Sequence, residues 1–303
     1  MEINQLKNLL DEFGDNVIFE YDLKKKNWFN IGGKSKVFYK ANNLKELINF
    51  LKKVADKEKI FILGAGSNTL ITDNLYDGIV IKLSKDFNNI SLFKDDIIIA
   101  GSGVLDKTLS DFAMKNNLSG FEFLSCIPGT IGGGIRMNAG CFGNEFKDIL
   151  LSIQALDKTG NILTIPVEKI NFEYRKNNLP EDLIFLSASF RGLPKDKDEI
   201  KKTIIKLKNQ KDKNQPTNIK TSGSTFKNPI NKTSKKVWEL IRESVPADIS
   251  FGDACISDKH SNFFVNKGNA TFKDMKKLIN FVEKSVFKKT GINIEKEIKI
   301  LEN

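Results

Sequence analysis

The sequence predicts an α+β fold in two or three lobes. Three observations lead there. Strand-like and helix-like segments alternate irregularly, not as a repeated strand–helix–strand unit. Glycine-rich loops follow several strands, yet none completes the GxGxxG dinucleotide fingerprint. A length of 303 residues is enough to bury more than one core.

Taken in order, residues 3–13 carry a helical pattern, and NWFNIGGKSKVFYKA (27–41) reads as a turn and then a strand. Residues 42–57 form an amphipathic helix. Asn43 and Glu46 stand three apart as a capping box, and Leu44, Leu47, Ile48 and Leu51 share one face. Short apolar strands follow at 60–63, 78–83 and 96–101, then a helix over 105–117. Beyond a glycine segment, LLSIQALD (150–157), ILTIP (162–166) and LIFLSASF (183–190) read as three more strands. A linker at 191–198 leads to a lysine-rich helix from Glu199 to Asp212 and a polar loop at 215–229. A helix around Trp238, a strand at 261–266, a helix over 271–290 capped by Gly291 and a final strand at 292–301 complete the chain. No internal repeat or low-complexity segment interrupts this order.

Composition narrows the function. Net charge is +10, almost all of it from lysine, because the only arginines are Arg136, Arg175, Arg191 and Arg242. A solvated lysine surface is the expected reading, and no nucleic-acid motif is present to argue otherwise. The few arginines mark places where a rigid planar fork is needed. Three cysteines without a CxxC pair, and a single histidine, His260, offer neither a disulfide framework nor a metal cage. A reducing, cytoplasmic setting and no metal are therefore expected. The N-terminus has no basic, apolar, cleavable pattern, and no apolar run approaches the ~18 residues of a membrane span.

The glycines carry the chemistry. FILGAGSN (61–68), IIIAGSGV (97–104) and CIPGTIGGGIRMNAG (126–140) each place small residues at a strand end. Thr69 and Asp106 occupy the third glycine positions of the first two, so a Rossmann site is disfavoured. Either GxG alone reads as a tight turn. The third segment asks for more: the Pro128-Gly129 turn, the Thr130 hydroxyl and the Gly132–Gly134 backbone form a candidate diphosphate cradle of main-chain N–H groups. Arg136 and Asn138 are candidates for added polar contacts, with loop support as the competing reading. The three loops together point to one large, doubly anionic cofactor lying across several strand ends.

Five motifs in fixed order then resemble a known family. ILGAGSNTLITD, IPGTIGGGIRMNAGCFGNE, FEYRKNN, SGSTFKNP and INIEKEIKIL, covering about Asn27 to Leu301, are similar to the signatures of UDP-N-acetylenolpyruvoylglucosamine reductases, in the shorter class without a tyrosine-bearing loop. The resemblance implies a vanillyl-alcohol-oxidase-type (PCMH-type) FAD-binding fold with a separate α+β substrate lobe. It implies residues 1–55 as a first FAD subdomain joined by a C-terminal strand at 292–303, 56–195 as a second, and 196–291 as the substrate-binding domain. Non-covalent FAD and the co-substrate NADPH are implied, with a UDP-sugar as substrate, reduced from an enolpyruvyl to a lactyl ether in peptidoglycan synthesis. A cytoplasmic monomer with no nucleic-acid or membrane partner is expected. Cofactor contacts fall on Gly64, Ala65, Gly66, Ser67, Asn68, Pro128, Gly129, Thr130, Gly132, Gly133, Asn138, Ala139 and Gly140. Arg175 matches the catalytic arginine, Ser224 the proton donor and Glu297 the catalytic glutamate. Arg175, Lys227 and Asn228 fall at substrate-contact positions. On a strand Glu295 and Glu297 share a face, so the residues alone leave that pair open, and only the family register selects Glu297. A flavin oxidase of the same fold, or a basic nucleotide- or nucleic-acid-binding protein, are the rival readings.

Overall fold

The computed structural model describes residues 8–9, 11–54 and 57–303. The helix expected over 3–13 and the end of that over 42–57 lie partly outside the described residues. The chain divides into two compact units, one of 1–19, 37–65 and 78–211, the other of 20–36, 66–77 and 212–303.

The first unit holds two cores. A five-stranded antiparallel sheet runs in the order Ile162–Pro166, Leu150–Leu156, Ile184–Arg191, Ile97–Gly101, Ile90–Phe93. One face of this sheet packs on Phe121, Phe123, Phe146 and Ile131, with Phe146 edge-to-face against Phe123 and Phe190. The other core gathers around Tyr39, which stacks on Phe50 with ring centroids 3.8 Å apart. Phe50 belongs to the helix Leu44–Val54, whose buried face is Leu47, Phe50, Leu51 and Val54. Glu46 N donates to Asn43 Oδ1 at 2.9 Å, so Asn43 caps this helix as its spacing predicts. Tyr76–Leu83 pairs in parallel with Ile60–Ile62 in a four-stranded sheet that also includes Val17–Asp22 and Lys34–Ala41.

In the second unit, the helices Val237–Ser244 and Phe272–Thr290 share an apolar core with the strands Ala254–Ile256 and Phe264–Asn266. The longer helix is bounded by local chemistry. Asp274 N donates to Thr271 Oγ1 and Thr271 N to Asp274 Oδ2, each at 3.1 Å. Gly291 ends the helix at φ 71°, a conformation that favours glycine. Lys299–Leu301 pairs in parallel with Thr69–Ile71.

Several elements differ from expectation. The final strand is only Lys299–Leu301, not 292–301. Ile294 and Ile298 are buried while Lys296, midway between them on the same strand face, is exposed, and before residue 299 only a single bridge, Phe226 with Lys296, is made. Alternation is therefore broken and cannot be used to choose between Glu295 and Glu297. The strand at 261–266 starts at Phe264, because Ser257 N bonds Phe263 O and Phe263 N bonds His260 O in a closed turn. Leu193–Pro194, inside the expected linker, pairs with Leu118–Ser119. Within the glycine segment, Ile131–Arg136 is a short helix despite poor glycine propensity. Buried Ile131 and Ile135 hold it in the first core.

Candidate active site

Packing explains several glycines of the third loop. A Cβ on Gly134 would stand 2.2 Å from Phe146 Cε2, and one on Gly140 would stand 2.3 Å from Asn144 O. Bare backbone is required at both for the chain to close on itself. Gly133 has neither reason. Its φ is not positive, and an added Cβ would meet only Thr130 Oγ1 at 3.6 Å, an ordinary contact. Space is left there that the fold does not need, as a cradle for a bound group requires.

The cradle is narrower than the sequence implies. Ile131 N donates to Val104 O, Gly132 N to Ser102 O and Gly134 N to Thr130 O, at 2.9, 2.9 and 2.8 Å. Those amides are engaged within the chain. Among the described residues, Gly129, Thr130 and Gly133 donate no main-chain hydrogen bond. The Thr130 hydroxyl makes no cap bond to the helix that follows. In the same unit, a Cβ on Gly64 would lie 2.8 Å from Thr130 Oγ1, and the Lys82 ammonium donates to Gly64 O. The first and third loops therefore converge at Gly64 and Thr130.

Two polar residues of the loop face inward. Arg136 stacks on Phe185, its Cζ 4.1 Å from the ring centroid, and donates to the carbonyls of Pro180 and Leu183 at 2.8 and 2.7 Å. It braces the loop, the loop-support reading of the two. Asn138 is fully buried at φ 43°. Its amide nitrogen donates to Glu145 Oε2 and Glu173 O, while its Oδ1 accepts from Lys147 N. Its side chain shapes the turn, with both amide N–H groups engaged inside the chain. The Ala139 backbone is engaged too, its N on Gly134 O and its O under Phe146 N. Arg175 sits between Phe172–Glu173 and Lys176–Asn177 at φ 58°. Its Nη2 donates to Gly140 O at 2.7 Å, joining the candidate catalytic arginine to the candidate cofactor loop.

The second unit assembles the other candidates. Residues 224–227 run antiparallel to 295–298. Lys227 N donates to Glu295 O and Glu297 N to Thr225 O, both at 2.8 Å, and Phe226 bridges Lys296. Ser224 and Glu297 thus lie on adjoining segments. Buried Asn262 clamps this stretch: Thr225 N donates to its carbonyl and Phe226 N to its Oδ1, and its Nδ2 donates to Phe226 O. Glu297 is half-buried, and its carbonyl accepts from Asn68 Nδ2 at 2.9 Å. Glu295 is exposed and stands 3.8 Å from Lys227 Nζ. Asn228 Oδ1 accepts from Val237 N at 3.0 Å, capping the next helix. Gly66, at φ 67°, packs against Lys26 O and accepts from Trp28 N. His260 is structural: it accepts from Asn262 N and sits edge-on to Phe263, and burial lowers its pKa.

Sequence reasoning passed over Asn262, Lys82 and Asp106. Each stands alone in an ordinary strand, turn or helix, and only contacts distant in sequence give it a role. Among the described residues, no group of three His, Cys, Asp or Glu side chains is placed to hold a metal ion, and no helix is long and apolar enough to cross a membrane.

A family model described as an FAD binding domain matches residues 35–166. A second, for the C-terminal domain of UDP-N-acetylenolpyruvoylglucosamine reductase, matches residues 215–301. The reductase of that name from Pelagibacter ubique (strain HTCC1062) is 64% identical over 301 residues, 99% of this chain and 100% of that protein. Its namesake from Rickettsia typhi (strain ATCC VR-144 / Wilmington) is 44% identical over 280 residues, 92% of this chain and 94% of that one. Among solved structures, UDP-N-acetylenolpyruvylglucosamine reductase from Thermus caldophilus superposes with a TM-score of 0.80 at 28% identity, covering 94% of this chain and 97% of that one. The fold is thus an FAD-binding fold with a separate substrate-binding domain, and FAD is the cofactor.

Proposed function

From the premise that the chain belongs to the UDP-N-acetylenolpyruvoylglucosamine reductase family, we propose that it reduces UDP-N-acetylglucosamine enolpyruvate to UDP-N-acetylmuramate, a step of peptidoglycan precursor synthesis, with NADPH as reductant. The bound flavin supplies hydride chemistry. Gly64 to Asn68, the Pro128–Thr130 turn and bare Gly132 and Gly133 form its bed, with Asn138, Ala139 and Gly140 fixing the shape of the loop.

The reaction places hydride on the terminal carbon of a C=C bond conjugated to a carboxylate. Charge then spreads into that carboxylate as an enolate. The Arg175 guanidinium, with one nitrogen anchored on Gly140 O, holds and neutralises it, since a planar fork matches a carboxylate. Ser224 delivers its hydroxyl proton to the neighbouring carbon. A serine is a weak acid, so the hydroxyl must be aligned beforehand. Glu297, on the adjoining segment, stabilises the developing charge as the un-ionised acid, by donating a hydrogen bond to it. Glu295, exposed and beside Lys227, is the poorer candidate. Lys227 and Asn228 line the sugar-nucleotide side. The reading includes a cytoplasmic monomer, a compartment that suits three cysteines that form no disulfide.

The observation that supports the proposal is the antiparallel pairing in the substrate-binding domain that sets Thr225, the residue after Ser224, opposite Glu297. Anaerobic spectroscopy tests it. NADPH should bleach the flavin band, and the enolpyruvyl UDP-sugar should restore it without oxygen. Recovery only on admitting oxygen would mean an oxidase instead.

A further inference from the structure

The turn that opens the glycine segment is zipped to the strand end before it. Asp106 N donates to Gly129 O at 3.2 Å, and the Ile131 and Gly132 amides reach Val104 O and Ser102 O. Behind this zip lies a carboxyl group with nothing to bond. Asp106, the first residue of the helix Asp106–Lys115, has no exposed surface, and neither of its carboxyl oxygens has a hydrogen-bond partner. Its Oδ2 is 2.5 Å from where a Cβ on Gly129 would stand. Ser102 repeats the arrangement. It is buried, its Oγ has no partner, and its Cβ is 3.0 Å from where a Cβ on Gly132 would stand. Two glycines of the cofactor loop are thus each backed by a buried polar side chain with unused bonding capacity.

A buried hydrogen-bonding group without a partner destabilises the folded chain. A leucine of similar volume would pack there without that penalty. Burial also pushes the Asp106 carboxyl well above the usual carboxylate range, which favours the un-ionised form. An un-ionised acid puts no negative charge behind a loop that must face a diphosphate, and its carbonyl oxygen still accepts. The amides of Gly129 and Thr130 donate no main-chain bond among the described residues, and they belong to the turn that Asp106 Oδ2 abuts.

We propose that Asp106 is a positioning residue of the flavin site, bracing the Gly129–Thr130 turn from behind by accepting from its amides when FAD is bound. It does not touch the cofactor. The inference rests on the reading that this turn forms part of the FAD bed.

The test compares FAD affinity with stability of the flavin-free protein. FAD is removed, the apoprotein is melted, and the dissociation constant is read by titrating FAD and following flavin fluorescence. Asp106→Leu should melt at or above the wild-type temperature yet bind FAD at least tenfold more weakly. Asp106→Asn, which keeps an accepting oxygen, should bind within threefold of wild type. Ser110→Ala, which removes another buried unpartnered hydroxyl one helical turn on, should leave affinity unchanged. Wild-type affinity in D106L, or equal losses in D106L and D106N, would overturn the proposal. Asp106→Ala takes the place of D106L if the latter does not fold. Failure of both to fold would make the carboxyl a folding element and also overturn it. Gly133→Asp separates the two readings. If it abolishes FAD binding while D106L does not, only the bracing role falls; if it too leaves FAD bound, the assignment of the loop falls.

Discussion

Ser224 carries the most specific residue-scale claim. The residues that follow it are held on one side by Asn262 and on the other by the 295–298 stretch, so its backbone is fixed from both sides. Ser224→Ala should leave the NADPH half-reaction near wild type and slow the substrate half-reaction by about 100-fold or more. Stopped-flow absorbance of the flavin separates the two, and equal slowing of both would remove Ser224 from the proton-donor role. At Arg175 the need is for a fork, since one nitrogen is already anchored on Gly140 O. Arg175→Lys keeps the charge but cannot hold Gly140 and a substrate carboxylate together. A loss of about 100-fold in kcat, with the flavin still bound, is the expected result in steady-state assays. Cysteine chemistry should be quiet. Burial, the largest effect, pushes the Cys141 thiol up to about 12, so alkylation at pH 8, followed by mass spectrometry, should be much slower than for a free thiol.

At the scale of elements, adjacent glycines in one short helix have opposite reasons to exist. Gly134→Ala drives a methyl into the Phe146 ring, and a loss of about 1–3 kcal/mol is expected in denaturant unfolding of the apoprotein. Gly133→Ala meets no such obstacle and should leave the apoprotein as stable or more so, by up to ~1 kcal/mol. The loop joining Leu150–Leu156 to Ile162–Pro166 gives a pH prediction. Asp157 accepts from the Thr159 hydroxyl and amide and from the Asn161 amide and side chain, which lowers its pKa to about 2. A depressed carboxylate pKa contributes stability that is complete above the unfolded value near 4 and lost as pH falls from there to about 2. Asp157→Asn should therefore flatten the acid limb of the stability curve between those values.

For the whole molecule, the net charge of +10 meets substrates that are all polyanions. Salt screens capture more than chemistry. Raising ionic strength should raise KM for NADPH and for the UDP-sugar while kcat changes little, and an unchanged KM would leave the lysines as a solubility feature only. Gly64, Ala65, the third loop and Arg175 belong to the first unit, and Ser67, Asn68, Ser224, Lys227, Asn228 and Glu297 to the second.

What was readable in the sequence is what near neighbours decide. Asn43 before its helix and Gly291 at its helix end act within one turn of chain, so spacing alone located them. The glycine loop stood out too, because five glycines in twelve residues carry a backbone cost that needs a reason; packing supplies that reason at Gly134 and Gly140 and not at Gly133. Tertiary structure decided how each polar group is used. It turned Arg136 and Asn138 inward, placed Glu295 at the surface beside Lys227, broke the expected final strand and left Asp106 unpartnered behind Gly129. Those outcomes follow from burial and hydrogen bonding between segments far apart in the chain, which no local pattern encodes.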